Sequence, residues 1–162
     1  MPSAEIVRQS CRPRKVSLLF VGESPPASGR FFYHRDSGLY RAMRDAFIAV
    51  DRTIGDENFL ERFQDAGCYL IDLCGRPVDD LDPASRRAAC DAAVPRLATI
   101  IAKLNPDCMA TLVRSIEGGV KSAALRAGWN GRLLHLPYPG RWVQHRKLFI
   151  ELLVPEIRNL LR

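Results

Sequence analysis

Residues 16–33 read VSLLFVGESPPASGRFFY, an apolar run that breaks abruptly into a loop rich in proline and glycine. The run is long enough for a strand buried on both faces, and Gly22 ends it. The two prolines lack amide hydrogens, so the N–H groups of Glu23 and Ser24 remain to face a ligand. Glycine at this point favours a positive φ and a close approach of the backbone. The stretch predicts a buried strand that leads into a ligand-binding loop.

Three consecutive aromatic residues, Phe31, Phe32 and Tyr33, end this loop directly after Arg30. They cannot all occupy one face of a strand, because successive side chains point to opposite faces. At least one ring is therefore expected to face a pocket. The alternative is that the rings fill the edge of the core, where large aromatic side chains commonly lie.

Apolar runs typical of strands alternate with helical apolar spacing along the rest of the chain. Strands are predicted at residues 68–74, 107–113 and 132–136, and helices at 36–50, 57–66, 83–104, 115–127 and 143–161. This alternation predicts an α/β protein, a three-layer α/β/α sandwich with a central, mainly parallel sheet of about four strands. Residues 1–15 are expected to form an N-terminal arm or short helix, and residues 16–162 a single domain.

A carboxylate interrupts the second apolar run, CYLIDLC at residues 68–74. An unpaired buried charge is very costly, so Asp72 must face a polar pocket, pair with a cation or lie near the exposed end of its strand. Open α/β sheets bind ligands at the carboxyl ends of their strands. The loops that follow the strands are therefore expected to meet at one edge of the sheet.

The composition describes a basic chain with a sizeable apolar core. The 162 residues are 47% hydrophobic, the formal charge is +6, and Arg outnumbers Lys. No apolar run approaches the length of a membrane span and no secretory signal is evident, so a soluble, cytoplasmic monomer is expected. The positive charge permits a nucleic-acid partner, although many basic proteins bind none.

The five cysteines are odd in number and include no C-x-x-C pair. This pattern argues against a disulfide framework and against a standard zinc site. Buried free thiols are the simplest interpretation, and no metal ligands are predicted.

Three segments, taken in order, resemble the motifs of the uracil-DNA glycosylase superfamily and of its iron–sulfur branch in particular. The first motif, G-E-A-P-G followed by G-R-P-F, is similar to Gly22-Glu23-Ser24-Pro25-Pro26 and Gly29-Arg30-Phe31-Phe32. The second, Y-I-T-N-x-x-K-C-R-P, is similar to Tyr69-Leu70-Ile71-Asp72-Leu73-Cys74 with Arg76-Pro77. The closing L-P-H-P motif is similar to Leu136-Pro137-Tyr138-Pro139. The resemblance covers roughly residues 15–160.

The resemblance implies a base-binding set of Gly22, Phe32, Asp72 and Arg76. Phe32 would stack on the flipped base, and Asp72 stands where the iron–sulfur branch has the Asn that reads the uracil edge. Such a carboxylate accepts from uracil N3–H but repels O4, so either Asp72 is protonated or a donor such as Arg76 or a water serves O4.

Four residues are candidates for the catalytic work. Ser24 matches the position of the superfamily's hydrolytic Asp or Asn, and Tyr138 that of its catalytic histidine. His135, three residues earlier, could serve instead, or it could simply end a strand. Glu23 is the carboxylate of the first loop and the candidate for positioning water; the alternative is a salt bridge to a nearby Arg.

The last loop, Pro139-Gly140-Arg141-Trp142, matches the place where the superfamily inserts a wedge into DNA. Arg141 can contact phosphate and Trp142 can stack on bases. The alternative for Trp142 is a core position against the final helix.

Cys74 and Cys90 resemble two of the four cluster ligands of the iron–sulfur branch. The N-terminal C-x-x-C that would complete the set is absent, and Cys11 is the one cysteine in that region. A four-iron cluster takes four thiolates, so no cofactor is expected.

The expected function is hydrolysis of the N-glycosidic bond of uracil, or of another deaminated base, in DNA. The alternative is a DNA-binding or damaged-base-binding protein of the same fold with weak or no catalysis, which the departures at Ser24 and Tyr138 favour. A third possibility is an α/β protein that binds a small nucleotide or metabolite.

Overall fold

A computed structural model describes residues 2–162, and its centre is a single parallel sheet. The strands are β1 (Leu18–Gly22), β2 (Cys68–Asp72), β3 (Cys108–Thr111) and β4 (Arg132–His135), in the order β2-β1-β3-β4. The α/β class and the four-stranded parallel sheet are thus confirmed. Every residue of β1 and β2 is buried, as expected for strands covered on both faces.

Within the described residues, six α-helices flank the sheet: α1 (Ala4–Ser10), α2 (Gly38–Val50), α3 (Phe59–Asp65), α4 (Pro83–Leu104), α5 (Glu117–Arg126) and α6 (Val143–Leu160). The longer helices pack in pairs, α2 with α6 and α4 with α5. This arrangement is consistent with the predicted three-layer sandwich. No helix of residues 2–162 is long and apolar enough to cross a membrane.

The helix starts follow from local side chains. The Ser37 hydroxyl accepts a hydrogen bond from the Tyr40 amide at the start of α2, at 3.1 Å. The Asp82 carboxylate accepts from the Ser85 amide at 3.1 Å, with Pro83 as the first residue of α4. Each cap satisfies an amide that has no partner within its helix. α4 then continues through Pro95 and ends at Leu104, and Asn105 directly after it has a φ of 43°.

Of the two possibilities for the N-terminal segment, a loose arm or a short helix, the structure has the helix α1. Ser3 caps α1 by accepting a hydrogen bond from the Ile6 amide at 3.3 Å. One residue of this polar helix, Arg8, is buried and only 7% exposed. The N-terminal segment therefore packs on the domain through a charged side chain.

The order of the strands places a crevice at the carboxyl ends of β1 and β3. The chain passes from β1 to β2 on one side and later returns to pair β3 with the other side of β1. The loops after β1 and β3 consequently diverge, and open α/β sheets bind their ligands at such a point.

Candidate active site

A cavity of about 310 Å³ opens at this edge of the sheet. All four strands contribute to it, either through their last residues or through the loops that follow. Its walls include Gly22, Glu23, Ser24, Phe31, Phe32, Asp72, Asp79, Arg86, Leu112, Val113 and Tyr138. Its size lies at the lower end of the range for small-molecule sites.

The loop after β1 is held in place by the loop after β2. The amides of Leu73 and Cys74 donate to the carbonyl oxygens of Gly22 and Glu23, both at 2.8 Å. Farther along, the Val78 amide donates to the Ser24 hydroxyl at 3.3 Å. Ser24 therefore lines the cavity and also connects the loop after β1 to the loop after β2.

Gly22 is required for a different reason from the one the sequence suggested. Its φ is not positive; the glycines with a positive φ are Gly29, Gly67 and Gly128. A Cβ atom at position 22 would instead lie 2.6 Å from Oδ1 of Asp72, its partner in the β1–β2 register. Glycine thus makes room for the carboxylate of the neighbouring strand.

Asp72 combines a position at the end of its strand with a cationic partner, two of the conditions that the sequence offered for a buried carboxylate. It lies at the end of β2, it lines the cavity, and its Oδ2 accepts from Nη2 of Arg8 at 3.2 Å. Asp72 is 9% exposed, and this burial raises the pKa of its carboxyl to about 6 despite the opposing charges of Arg8 and Arg96.

The structure does not bring Arg76 to the cavity. Arg76 is exposed in the bend after β2 and is not part of the cavity wall. Arg96 of α4 occupies the inner side of this bend, where its Nη1 donates to the Leu73 carbonyl at 3.1 Å. The cation beside Asp72 therefore comes from α1, because the chain turns Arg76 towards solvent.

Glu23 forms the salt bridge that was the alternative to a role with water, while still facing the cavity. Its Oε1 accepts from Nε of Arg86 at 2.9 Å and also from Nη2 of the same guanidinium. Its Oε2 accepts from the Ser115 hydroxyl at 3.4 Å. The carboxylate is thus fixed in position, and Oε2 carries the weaker of these contacts.

The backbone amides of Glu23 and Ser24 provide donors at the same wall. Within residues 2–162, neither N–H donates to a protein acceptor. Pro25 and Pro26 follow directly and have no N–H. Both residues line the cavity, so their amides are backbone donors available to a ligand there, and such donors can stabilise developing negative charge.

Two phenylalanine rings line the cavity, one more than the resemblance implied. Phe32 is 4% exposed and packs edge-to-face on Tyr33, Tyr40 and Phe59, so it belongs to the core as well as to the cavity. Phe31 lies under the Arg8 guanidinium, whose Cζ atom is 5.3 Å from the ring centroid. Either ring can offer a surface to a planar ligand.

Tyr138 closes the cavity from the last loop. Its pKa is raised by burial and, to a smaller extent, by the charge of Asp72. A Cβ atom at Gly140 would overlap the Tyr138 ring, so the glycine allows the ring to lie against its own loop. Pro139 between them is buried.

His135 ends β4 but is not part of the cavity wall. Its Nδ1 lies 2.7 Å from the Thr111 hydroxyl on the neighbouring strand and 3.6 Å from Oε1 of Glu117. The structure thus matches the strand-end alternative, and it separates His135 from Tyr138.

Arg141 and Trp142 are both exposed to solvent. Trp142 is 58% exposed and precedes α6 without capping it through a side chain. The core position considered for Trp142 is not observed. Tyr138 and Val143, close to Trp142 in sequence, are exposed as well.

Cys74 and Cys90 lie together, with their Sγ atoms 3.6 Å apart. Burial raises the pKa of both thiols, that of Cys74 to about 12. Cys11 ends α1 near Tyr33 and Tyr69. Within residues 2–162, no three His, Cys, Asp or Glu side chains are grouped to hold a metal ion. Two thiols are half the set that a four-iron cluster takes.

The sequence did not predict three cationic side chains that lie near the cavity. Arg8, Arg86 and Arg96 all contact the loops or the carboxylates described above. Arg86 could have been found, because it follows the Asp82-Pro83 helix start and therefore lies at the end of α4 nearest the loops. Arg8 carries no such signal, since polar, basic N-terminal segments are usually solvated.

No protein-family model matches this chain, and no curated protein matches it in sequence.

Proposed function

We propose that this protein is a DNA glycosylase that hydrolyses the N-glycosidic bond of uracil or another deaminated base. The observation that carries the proposal is the joint position of Glu23, Phe32, Asp72 and Tyr138 around one cavity at the carboxyl edge of the sheet. Glu23 and Phe32 lie in the segment after β1, Asp72 is the last residue of β2, and Tyr138 lies in the loop after β4. The resemblance to the uracil-DNA glycosylase superfamily selected Phe32, Asp72 and Tyr138, and Glu23 was selected as the carboxylate of the first loop.

Base extrusion from a duplex costs a few kcal/mol and must be offset inside the cavity. Stacking on Phe31 or Phe32 contributes about 1–3 kcal/mol. Asp72 accepts from N3–H of the base, and the Tyr138 hydroxyl is available to a flanking carbonyl oxygen. Because Arg76 lies outside the cavity, Tyr138 replaces it as the donor.

Cleavage of the glycosidic bond leaves negative charge on the base. The paired amides of Glu23 and Ser24 would stabilise this charge, and one such donor is typically worth about 10²- to 10³-fold in rate. Glu23, fixed by Arg86 and Ser115, would orient the attacking water. Arg141 and Trp142 would hold the DNA beside the cavity.

The deciding experiment measures release of free uracil from single- and double-stranded oligonucleotides that contain one uracil. We expect release together with an alkali-labile site at that position. Hypoxanthine and xanthine substrates in the same assay would define the preferred base. An absence of release with enzyme and substrate at equal concentrations would contradict the proposal.

The second candidate function is binding of damaged DNA without hydrolysis. The engagement of the Glu23 carboxylate by Arg86 favours it, because Oε1 already accepts hydrogen bonds from the guanidinium and is less free to bind water. A band shift that is stronger on uracil-containing DNA than on undamaged DNA, without base release, would support this candidate. Equal and salt-sensitive shifts would indicate phosphate binding alone.

Substitution of Asp72 tests its contact with the base. Asp72→Asn is expected to retain or improve uracil release, because the amide oxygen still accepts from N3–H while the amide group can donate to O4. Asp72→Ala is expected to lower kcat/KM by about 10- to 100-fold, since it leaves the base edge unpaired. If both variants melt at lower temperature but keep wild-type activity per folded molecule, Asp72 has only a structural role.

A further inference from the structure

The N-terminal helix contributes a buried cation to the back of the cavity. Arg8 projects from α1 onto the end of β2, where its Nη2 contacts Oδ2 of Asp72 at 3.2 Å. Its Nη1 pairs with Glu5 on the same helix, and its guanidinium covers the Phe31 ring. Nε is buried without any hydrogen-bond partner within residues 2–162. Arg8 is therefore held by its charge and its stacking contact.

Arg8 does not line the cavity, so it can act on a bound base only through Asp72. The Asp72 carboxylate contacts Arg8 through Oδ2, and Asp72 also lines the cavity. Its other oxygen, Oδ1, lies against Gly22 of β1. These contacts on both oxygens restrict the orientation of the carboxylate, and the Arg8 charge favours its ionised form.

Charged and titratable groups approach Asp72 from every element around it. α1 contributes both a cation and an anion, α4 a cation, the loop after β1 an anion, and the last loop a phenol. These groups are Arg8, Glu5, Arg96, Glu23 and Tyr138, together with the thiol of Cys74 in the loop after β2. Arg8 is the one that touches the carboxylate directly, and its attraction opposes the desolvation that favours the neutral acid.

We propose that Arg8 is a positioning residue that keeps Asp72 ionised and so makes the cavity select deaminated bases over their normal parents. This inference rests on the proposed glycosylase function. It adds a specificity-determining residue that lies outside the cavity, on the N-terminal helix.

The selection follows from the hydrogen-bonding capacity of a carboxyl group. An ionised carboxylate only accepts, whereas a protonated one also donates. Deamination changes one ring nitrogen from acceptor to donor, since cytosine N3 becomes uracil N3–H and adenine N1 becomes hypoxanthine N1–H. The oxygen of ionised Asp72 that meets this ring nitrogen therefore accepts from the deaminated base and is repelled by the acceptor on the parent base. The Tyr138 hydroxyl, as the donor to the flanking carbonyl oxygen, offsets the repulsion between the carboxylate and that oxygen. Protonated Asp72 can donate to cytosine N3, which removes the distinction.

The first arm of the test measures Asp72 itself, by ¹³C NMR titration of its carboxyl, with the signal assigned through Asp72→Asn. Arg8→Gln is expected to raise the midpoint by about 1–3 pH units, and Arg8→Lys to restore part of the difference. Arg12→Gln is the matched control, because Arg12 shares the surface groove of Arg8 but makes no contact with Asp72. An unchanged midpoint in folded Arg8→Gln would overturn the proposal.

The second arm measures base selection with oligonucleotides that carry 2′-fluoro-deoxyuridine or 2′-fluoro-deoxycytidine, which resist hydrolysis. In wild type, the ratio of uracil to cytosine affinity is expected to fall at least about tenfold as the pH drops through the Asp72 midpoint near 6. Arg8→Gln should show the low ratio already at neutral pH, while Arg12→Gln keeps the wild-type ratio. A wild-type ratio that does not change with pH would overturn the proposal even if Arg8→Gln fails to fold.

The two arms separate failure of this inference from failure of the proposed function. If wild type releases no base and prefers neither oligonucleotide, the glycosylase proposal fails and the selection claim fails with it. The NMR titration still decides whether Arg8 controls the ionisation of Asp72. If wild type releases uracil but its uracil-to-cytosine affinity ratio changes neither with pH nor in Arg8→Gln, only the role of Arg8 is overturned.

Discussion

Glu23→Gln is expected to slow uracil release by about 10²- to 10⁴-fold, the usual contribution of a positioned acid or base. Glutamine keeps the shape of the side chain but cannot take a proton from water, and it weakens the attraction to Arg86. Single-turnover release with enzyme in excess measures the chemical step. Affinity for uracil-containing DNA, measured by band shift, should change little.

Arg86→Gln is the control that separates a role with water from a salt bridge. This variant removes the ion pair but leaves the Glu23 carboxylate at the cavity wall. If Glu23 orients water, Arg86→Gln should lose much less activity than Glu23→Gln. Equal losses in the two variants would assign Glu23 to the ion pair alone.

Phe32→Ala is expected to lower the free energy of unfolding by about 3–5 kcal/mol, because a large side chain leaves a cavity in a packed core. The ring contacts Tyr33, Tyr40, Phe59 and Phe63, and few aromatic positions in the chain have so many aromatic neighbours. Urea denaturation followed by circular dichroism measures the change. A midpoint equal to that of wild type would show that Phe32 is not part of the core.

Phe32→Leu is the variant that tests stacking. Leucine retains most of the apolar volume, so the protein should remain folded, but it offers no aromatic face to a base. Loss of affinity for uracil and hypoxanthine alike would assign stacking to Phe32. Loss in Phe31→Leu instead would assign it to the neighbouring ring.

The secondary structure and the fold class could be predicted because their signals are local. The apolar run before Gly22, the cap at Asp82 and the alternation of strands and helices each involve neighbouring residues. The carboxyl ends of parallel strands must meet at one edge, so the common location of Glu23, Asp72 and Tyr138 followed from the topology.

The contacts that define the site could not be predicted in the same way. Asp72 pairs with Arg8, which is 64 positions away, rather than with the nearby Arg76. The need for glycine at position 22 depends on the register of β1 against β2, where Gly22 lies opposite Asp72. Pairs so distant in sequence leave no periodic pattern, and a polar N-terminal segment gives no sign that one of its arginines is buried.

The central position of β1 also constrains how the protein folds. Leu18 pairs with Cys68 on one side and with Cys108 on the other, and every strand pair is parallel. β1 therefore has no hairpin partner and pairs only with segments far along the chain. Such long-range pairing raises the contact order and makes folding comparatively slow. Until then, its apolar residues are exposed to intermolecular association, and the cavity at its end does not exist. Refolding yield should consequently depend on protein concentration more strongly than in a helical protein of equal length.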